Sequence, residues 1–282
     1  MTGRTKQYNR MSGINAASLG RQKCNKGYVK KKKKRRSVLS MALSLILIGL
    51  WGLFGLSGGL FSEKVTEGAE EALPDIPREL KELLEKNEET YDFVMEYPNR
   101  EQYLDKDISL AGDTGISDAL ASGTVPLLMQ WDTRWGYAAY GEEMVGLAGC
   151  GPACLCMAYL YLTEDLSLTP ASMAEFAYEQ GFYTEYGTDW SLWTRGVELL
   201  GMEGEELPLD EREIRNTLDD GGVVICSMRP GDFTTTGHFI LLRDYDENGF
   251  YVNDPNRKSN SDRQWKFDEL SGQIKNLWGI RG

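Results

Sequence analysis

Histidine is nearly absent from this chain: among 282 residues there is one, His238. Cysteine is also sparse, with five: Cys24, Cys150, Cys154, Cys156 and Cys226. Cys150, Cys154 and Cys156 share one short predicted helix, whose fixed spacings do not suit a disulfide between any two of them. Cys24 lies ahead of a candidate membrane span, apart from the rest. A disulfide framework is therefore excluded. A metal site would have to be assembled from these thiols and the single histidine, and C-x-x-x-C-x-C matches no usual zinc spacing. No cofactor is expected.

Acidic residues are missing altogether from residues 1–37, which hold 13 of the 31 Lys and Arg. The remaining 245 residues carry 18 basic against 43 acidic side chains, so the formal net charge of −12 hides a basic head and an acidic body. That acidic body argues against nucleic acid, which needs a basic surface. Charge of either sign is missing from residues 38–61, a run of 24. About 20 apolar residues span a bilayer core, so this run is a transmembrane helix candidate. Its glycines at 49, 52, 55, 58 and 59 would weaken a soluble helix but are tolerated in membranes. The seven basic residues at 30–36 should stay in the cytoplasm, which places the C-terminal bulk outside the cell membrane. A cleaved secretory signal is the rival reading, although its apolar core is usually shorter and no clear A-x-A-like cleavage site is present.

Four regions follow. Residues 1–37 read as a basic cytoplasmic tail without ordered structure, 38–61 as the single span, 62–124 as an acidic stalk or docking helix with a linker, and 125–282 as the main domain. Within the third region, Leu80, Leu83, Leu84, Tyr91, Val94 and Met95 trace an apolar stripe that needs a surface to pack on. Pro98 ends it, and 99–123 reads as linker. Residues 125–129 read as a short strand.

Helices are predicted from Cys150, from Thr169-Pro170, from Thr188-Asp189 and from Asp210. The period then changes to strands at 223–228, 237–242 and 250–253, the last two joined by an Asp-Glu-Asn-Gly turn. A short helix at 267–274 and the apolar residues 277–280 complete the chain. Helices first and an antiparallel sheet second give an α+β class.

The stretch Gly149-Cys150-Gly151-Pro152 puts a cysteine at the first turn of an apolar helix. A thiol there feels the positive end of the helix dipole, which favours the thiolate. The same residues also fit a buried structural cysteine. His238 heads an apolar strand and is the side chain whose ordinary pKa suits base catalysis near neutrality; packing alone is its other reading. The hairpin brings Asp254 beside the start of that strand. A carboxylate there could accept from Nδ1 and turn Nε2 toward the thiol, or simply close an Asp-Pro turn. Gln130, in the aromatic cluster at 130–137, could offer its amide N–H to an oxyanion. The acidic domain surface and Trp131, Trp135, Trp190 and Trp193 suggest a cleft for peptides or peptidoglycan stems.

Taken together, Gln-x-Asp-x-x-Trp at 130–135, Gly-Cys-Gly-Pro at 149–152, Gly-His-Phe-Ile-Leu-Leu at 237–242 and Asn-Asp-Pro at 253–255 resemble the C39-like cysteine peptidases. The resemblance covers roughly 125–280. It implies a papain-like fold, with Cys150 as nucleophile, His238 as general base and Asp254 as orienting acid. Gln130 and the Cys150 backbone N–H would be the oxyanion donors. In papain-like enzymes the glutamine lies only a few residues before the cysteine; here it lies twenty before, so the segment between must loop out and return. Leader-processing members are fused to a transporter, whereas this chain shows one candidate span and no ATP-binding motif. The expectation is a membrane-anchored extracytoplasmic cysteine peptidase acting on a peptide or cell-wall peptide. A peptidoglycan amidase or endopeptidase of the same clan, a catalytically silent binding module, and acyl transfer to an amine remain open beside it.

Overall fold

Residues 151–160 carry no charge, so a helix built from them must be enclosed on every side. The computed structural model describes residues 76–104 and 108–282. In it this helix runs Cys150–Thr163 and buries all of 151–160. The helix is central, with packing partners all round it. Pro152 falls at the third helical position, still within the first turn, where its missing N–H has no helical partner to lose. Leu155 and Met157 are fully buried, and cutting either to Ala would cost about 2–5 kcal/mol.

Against this helix lies a six-stranded antiparallel sheet. Its strands are β1 (Glu203–Glu206), β2 (Val223–Met228), β3 (His238–Asp246), β4 (Gly249–Asn253), β5 (Gln264–Trp265) and β6 (Ile274–Arg281), in the order β1-β6-β2-β3-β4-β5. Successive side chains point to opposite faces. Val223, Ile225, Phe239, Leu241, Trp278 and Ile280 pack toward the Cys150 helix. Val224, Cys226, Met228, Ile240, Leu242 and Leu277 meet a second layer containing Ile214, Phe233, Trp265 and Leu270. Burial on both faces is why 223–228 reads as a continuous apolar run. The architecture is mixed helix and sheet.

Several local expectations change. Residues 125–129 form no strand: Pro126 has no N–H for a ladder, and the Val125 and Pro126 carbonyls are taken instead by the Asn253 side chain at 3.3 and 3.1 Å. The 99–123 stretch is more than linker, since helix Thr114–Ala121 and the turn Leu110–Gly112 bury Ile116 and Leu110 in the core. The helix expected from Thr188-Asp189 is a short 3-10 turn, Trp190–Trp193, followed by Arg195–Leu199, while Thr188 itself pairs in a two-residue strand. Trp135 and Trp193 are core residues, not cleft walls.

The 76–104 segment bends at Asn87, between helix Arg78–Lys86 and the turn Glu88–Thr90, and continues as helix Tyr91–Glu96. It belongs to the same unit as the rest, Asp75–Gly282. Among the described residues no helix is long and apolar enough to cross a membrane; the tail at 1–37 and the candidate span at 38–61 lie outside those residues.

Candidate active site

Chain order separates Cys150, His238 and Asp254, but the packing of helix on sheet gathers them. Cys150 opens the central helix and is partly exposed. His238 opens β3, where it pairs with Met228 of β2, and its side chain is 6% exposed. Asp254 follows the last residue of β4 and is fully buried.

The His238 ring has two titratable neighbours. Nε2 lies 2.7 Å from Asp254 Oδ1, and the Cys150 side chain is close enough to the ring to help raise its pKa. With Nε2 engaged by the carboxylate, Nδ1 is the nitrogen left for the thiol. This reverses the ring orientation expected from the sequence. The β3–β4 ladder ends at Leu241 opposite Asn253. Continued by one step, that register sets Asp254 across from Ile240, two residues from His238, so the far ring nitrogen is the one that reaches it.

Asp254 is held from several directions. Oδ1 also accepts from the Asn256 and Arg257 backbone N–H groups at 2.8 and 3.2 Å, and Oδ2 accepts from Asn260 Nδ2 at 2.7 Å. Its own N–H donates to Ser261 Oγ at 2.8 Å. Burial alone would push this carboxyl up, but His238, Asn260 and the Asn256 N–H together hold it below the ordinary carboxylate value. For His238, burial alone would lower the ring pKa. The Asp254 charge and hydrogen bond, with a smaller share from Cys150, outweigh that and raise it to about 10. The ring therefore holds a proton readily beside the sulfur. None of these Asp254 partners was legible in advance, because nothing in Asn-Arg-Lys-Ser-Asn-Ser shows that the loop after Pro255 curls back on its own aspartate.

Beyond Cys150 the wall is built by Tyr140 and Thr188, whose hydroxyls lie 2.7 Å apart. Burial raises the Tyr140 phenol pKa strongly, and proximity to Cys150 adds to it. Gly151 lets Thr188 approach: a Cβ there would sit 2.3 Å from Thr188 Oγ1. The other described thiols, Cys154, Cys156 and Cys226, are fully buried, and burial raises all three well above the usual thiol range.

Gln130 lies beside this assembly. Its backbone N–H donates to Pro255 O at 2.7 Å, which ties it to the Asp254 turn. Its Nε2 donates to Gly146 O at 3.0 Å and Leu147 O at 3.3 Å, just ahead of Cys150. Oε1 is buried with no hydrogen-bond partner among the described residues. The twenty-residue excursion does return, by way of the hairpin Ala139–Tyr140/Glu143–Met144 and the turn of helix Val145–Ala148. Among the described residues no three His, Cys, Asp or Glu side chains are grouped to hold a metal ion.

Comparison with known proteins adds the following. The family described as "Peptidase_C39 like family" matches residues 123–282. Among solved structures, the peptidase domain of Streptococcus ComA, described as a bi-functional ABC transporter involved in a quorum-sensing pathway, is 18% identical. That match covers 55% of this chain and 94% of that one, with a TM-score of 0.39. A Bacillus anthracis protein described as a C39-like peptidase is 15% identical over 57% of this chain and 96% of that one, with a TM-score of 0.36. Among curated proteins none matches. The match over 123–282 spans more than half of the sequence and includes Gln130, Cys150, His238 and Asp254. The chain belongs to the C39-like peptidase family.

Proposed function

We propose that this protein is a papain-like cysteine peptidase that hydrolyses peptide or amide bonds through Cys150, His238 and Asp254. The observation that supports it most is the ring of His238, held between a partly exposed thiol and a fully buried carboxylate. With its proton already lodged on His238 Nδ1, the Cys150 sulfur bonds to the substrate carbonyl carbon as a thiolate. The carbonyl oxygen becomes an oxyanion, received by the Cys150 backbone N–H and the Gln130 amide. Collapse breaks the C–N bond, and the leaving amine takes the proton from His238. Water, deprotonated by the same ring, then attacks the thioester and releases the acid and the thiol. Asp254 fixes the ring and balances its charge throughout.

The site is carried by a chain that residues 38–61 anchor in the cell membrane, with 1–37 in the cytoplasm and the peptidase outside. The basic run at 30–36 before an uncharged run of 24 supports this orientation. An impermeant thiol reagent applied to intact cells should label Cys150 and spare Cys24; the reverse pattern overturns the topology.

The activity is tested by incubating the protein with a peptide library and with muropeptides and following products by mass spectrometry. Wild type should cleave a peptide bond and pass through an acyl adduct on Cys150, and Cys150→Ala and His238→Ala should do neither. Equal turnover by Cys150→Ala, or no cleavage and no adduct with any substrate, would sink the proposal.

A further inference from the structure

The matched family region begins at residue 123, yet the preceding segment, 76–104, reaches the surroundings of Asp254 by three routes. Asn87, itself 4% exposed, donates from Nδ2 to Asn256 O at 2.6 Å. Trp131 Nε1 donates to the same carbonyl at 2.7 Å. The N–H of Asn256 is one of the donors on Asp254 Oδ1. Glu89 supplies the second route: its two carboxylate oxygens accept from the Lys258 and Ser259 backbone N–H groups at 2.5 and 3.0 Å. Those N–H groups open the turn Lys258–Ser261, whose Asn260 and Ser261 side chains bind Asp254. Third, the Arg257 guanidinium donates to Lys86 O, while the Arg257 N–H donates to Asp254 Oδ1. Asn87 Oδ1 also accepts from the Glu89 N–H at 3.2 Å, so the two residues act as one fitting.

The same segment braces the other half of the site. Phe93 stacks on Tyr137 with centroids 4.5 Å apart, and the Tyr137 hydroxyl donates to Phe93 O at 2.6 Å. Gly136 and Gly146 make room for that ring: a Cβ on them would come within 2.6 and 2.3 Å of it. Gly146 in turn presents its carbonyl to Gln130. A buried carboxylate oriented by a loop of short turns needs that loop fixed from outside, because short turns carry little packing of their own.

We propose that Asn87 and Glu89, in the segment ahead of the family region, are positioning residues for Asp254 and that the peptidase site is complete only when this segment is docked on the 254–261 turn. The proposal rests on the reading of Asp254 as the group that orients His238. It assigns the 76–104 segment a part in the site, beyond that of a stalk.

The single histidine makes this directly measurable. In the full-length chain, in detergent, with isotope-labelled histidine, one ring resonance reports the titration of His238 without any substrate. The titratable groups that face that ring are Asp254 and Cys150. Removing the carboxylate's charge should lower the midpoint, since an opposite charge at contact shifts a pKa by about 1–3 units. Asn87→Ala with Glu89→Gln should lower it by about one pH unit, and Glu89→Asp should keep it nearer wild type than Glu89→Gln does. A segment with only a structural role would lower the melting temperature and leave the midpoint where it was, and that result overturns the proposal. Should the double variant not fold, Glu89→Gln alone carries the same readout. Asp254→Asn separates the two ideas. If it leaves the midpoint unchanged, the reading of Asp254 fails; if it shifts the midpoint and the Asn87 and Glu89 variants do not, the positioning proposal alone fails.

Discussion

His238 presents Nε2 to Asp254, at 2.7 Å from Oδ1, and so turns Nδ1 toward the Cys150 side of the ring. The pair is buried and mutually charged, which links stability to pH. The folded pKa of His238 lies above its ordinary 6.5, near about 10. Its contribution to stability is therefore fully present below about 6.5 and is lost as pH rises through about 10. The folded pKa of Asp254 lies below its ordinary 3.8, so its share is present above about 3.8 and is lost as pH falls further. The melting-temperature advantage of wild type over Asp254→Asn should be level between these limits and shrink steadily from about pH 6.5 toward about pH 10. Calorimetry at a series of pH values tests this, and an advantage that grows toward pH 10 would contradict it.

The four described thiols should react very unequally. Cys150 is partly exposed, and Cys154, Cys156 and Cys226 are sealed and hard to ionise. Only a thiolate attacks an alkylating reagent. Brief treatment with iodoacetamide at neutral pH should therefore place the label on Cys150 at least about tenfold faster than on the other three. Mass-spectrometric mapping of the peptides decides it. Comparable labelling of Cys154 would mean that the central helix opens more readily than its packing implies.

Much of the sheet was legible because burial leaves a strong mark. The run 223–228 became β2 residue for residue, and the Asp-Glu-Asn-Gly turn joined β3 to β4 where expected. The grouping of Cys150, His238 and Asp254 followed from element ends and hairpin direction. What stayed hidden was set by contacts between distant segments. Which ring nitrogen meets Asp254 depends on where the β3–β4 ladder stops, a matter of register that residue types do not encode. Glu203–Glu206 has an acidic composition that argues against a strand, yet it pairs along β6 because the partner edge is available. The hold of Asn87 and Glu89 on 256–259 spans about 170 residues of sequence and involves polar side chains in loops, where no periodicity exists to be read.

Gly151 is expected to tolerate no side chain. An added Cβ would meet Thr188 Oγ1 at 2.3 Å and its Cβ and Cγ2 at 2.9 Å. Thr188 is β-branched and bound to Tyr140, so it cannot simply swing aside. Gly151→Ala should destabilise the fold by about 1–3 kcal/mol and slow Cys150 alkylation by tilting the start of the helix. Combining it with Thr188→Gly removes the clash, so the double variant should be more stable than the sum of the single effects, a coupling that a double-mutant cycle measures directly. Strict additivity would show that the strain lies elsewhere.

Gln130 has a structural role and, in the proposed mechanism, a catalytic one, and substitution can separate them. Both bonds from its Nε2 end on backbone carbonyls, the shorter on Gly146 and the longer, 3.3 Å, on Leu147. Cutting it to Ala leaves a buried carbonyl unpaired, which costs about 1–3 kcal/mol and should appear as a lower melting temperature. If the amide also serves the oxyanion, the weaker bond to Leu147 is the one given up as charge develops, and losing that donor should lower kcat by about a hundredfold or more. The stability loss cannot mimic this, because a protein still mostly folded at the assay temperature loses little activity by unfolding. Gln130→Glu sharpens the contrast, since it keeps the shape but turns an acceptor toward both carbonyls and toward the oxyanion. It should therefore depress both quantities at least as far as the alanine variant. A melting temperature that falls while kcat per folded molecule holds steady would reduce Gln130 to a strut between the Asp254 turn and the approach to Cys150.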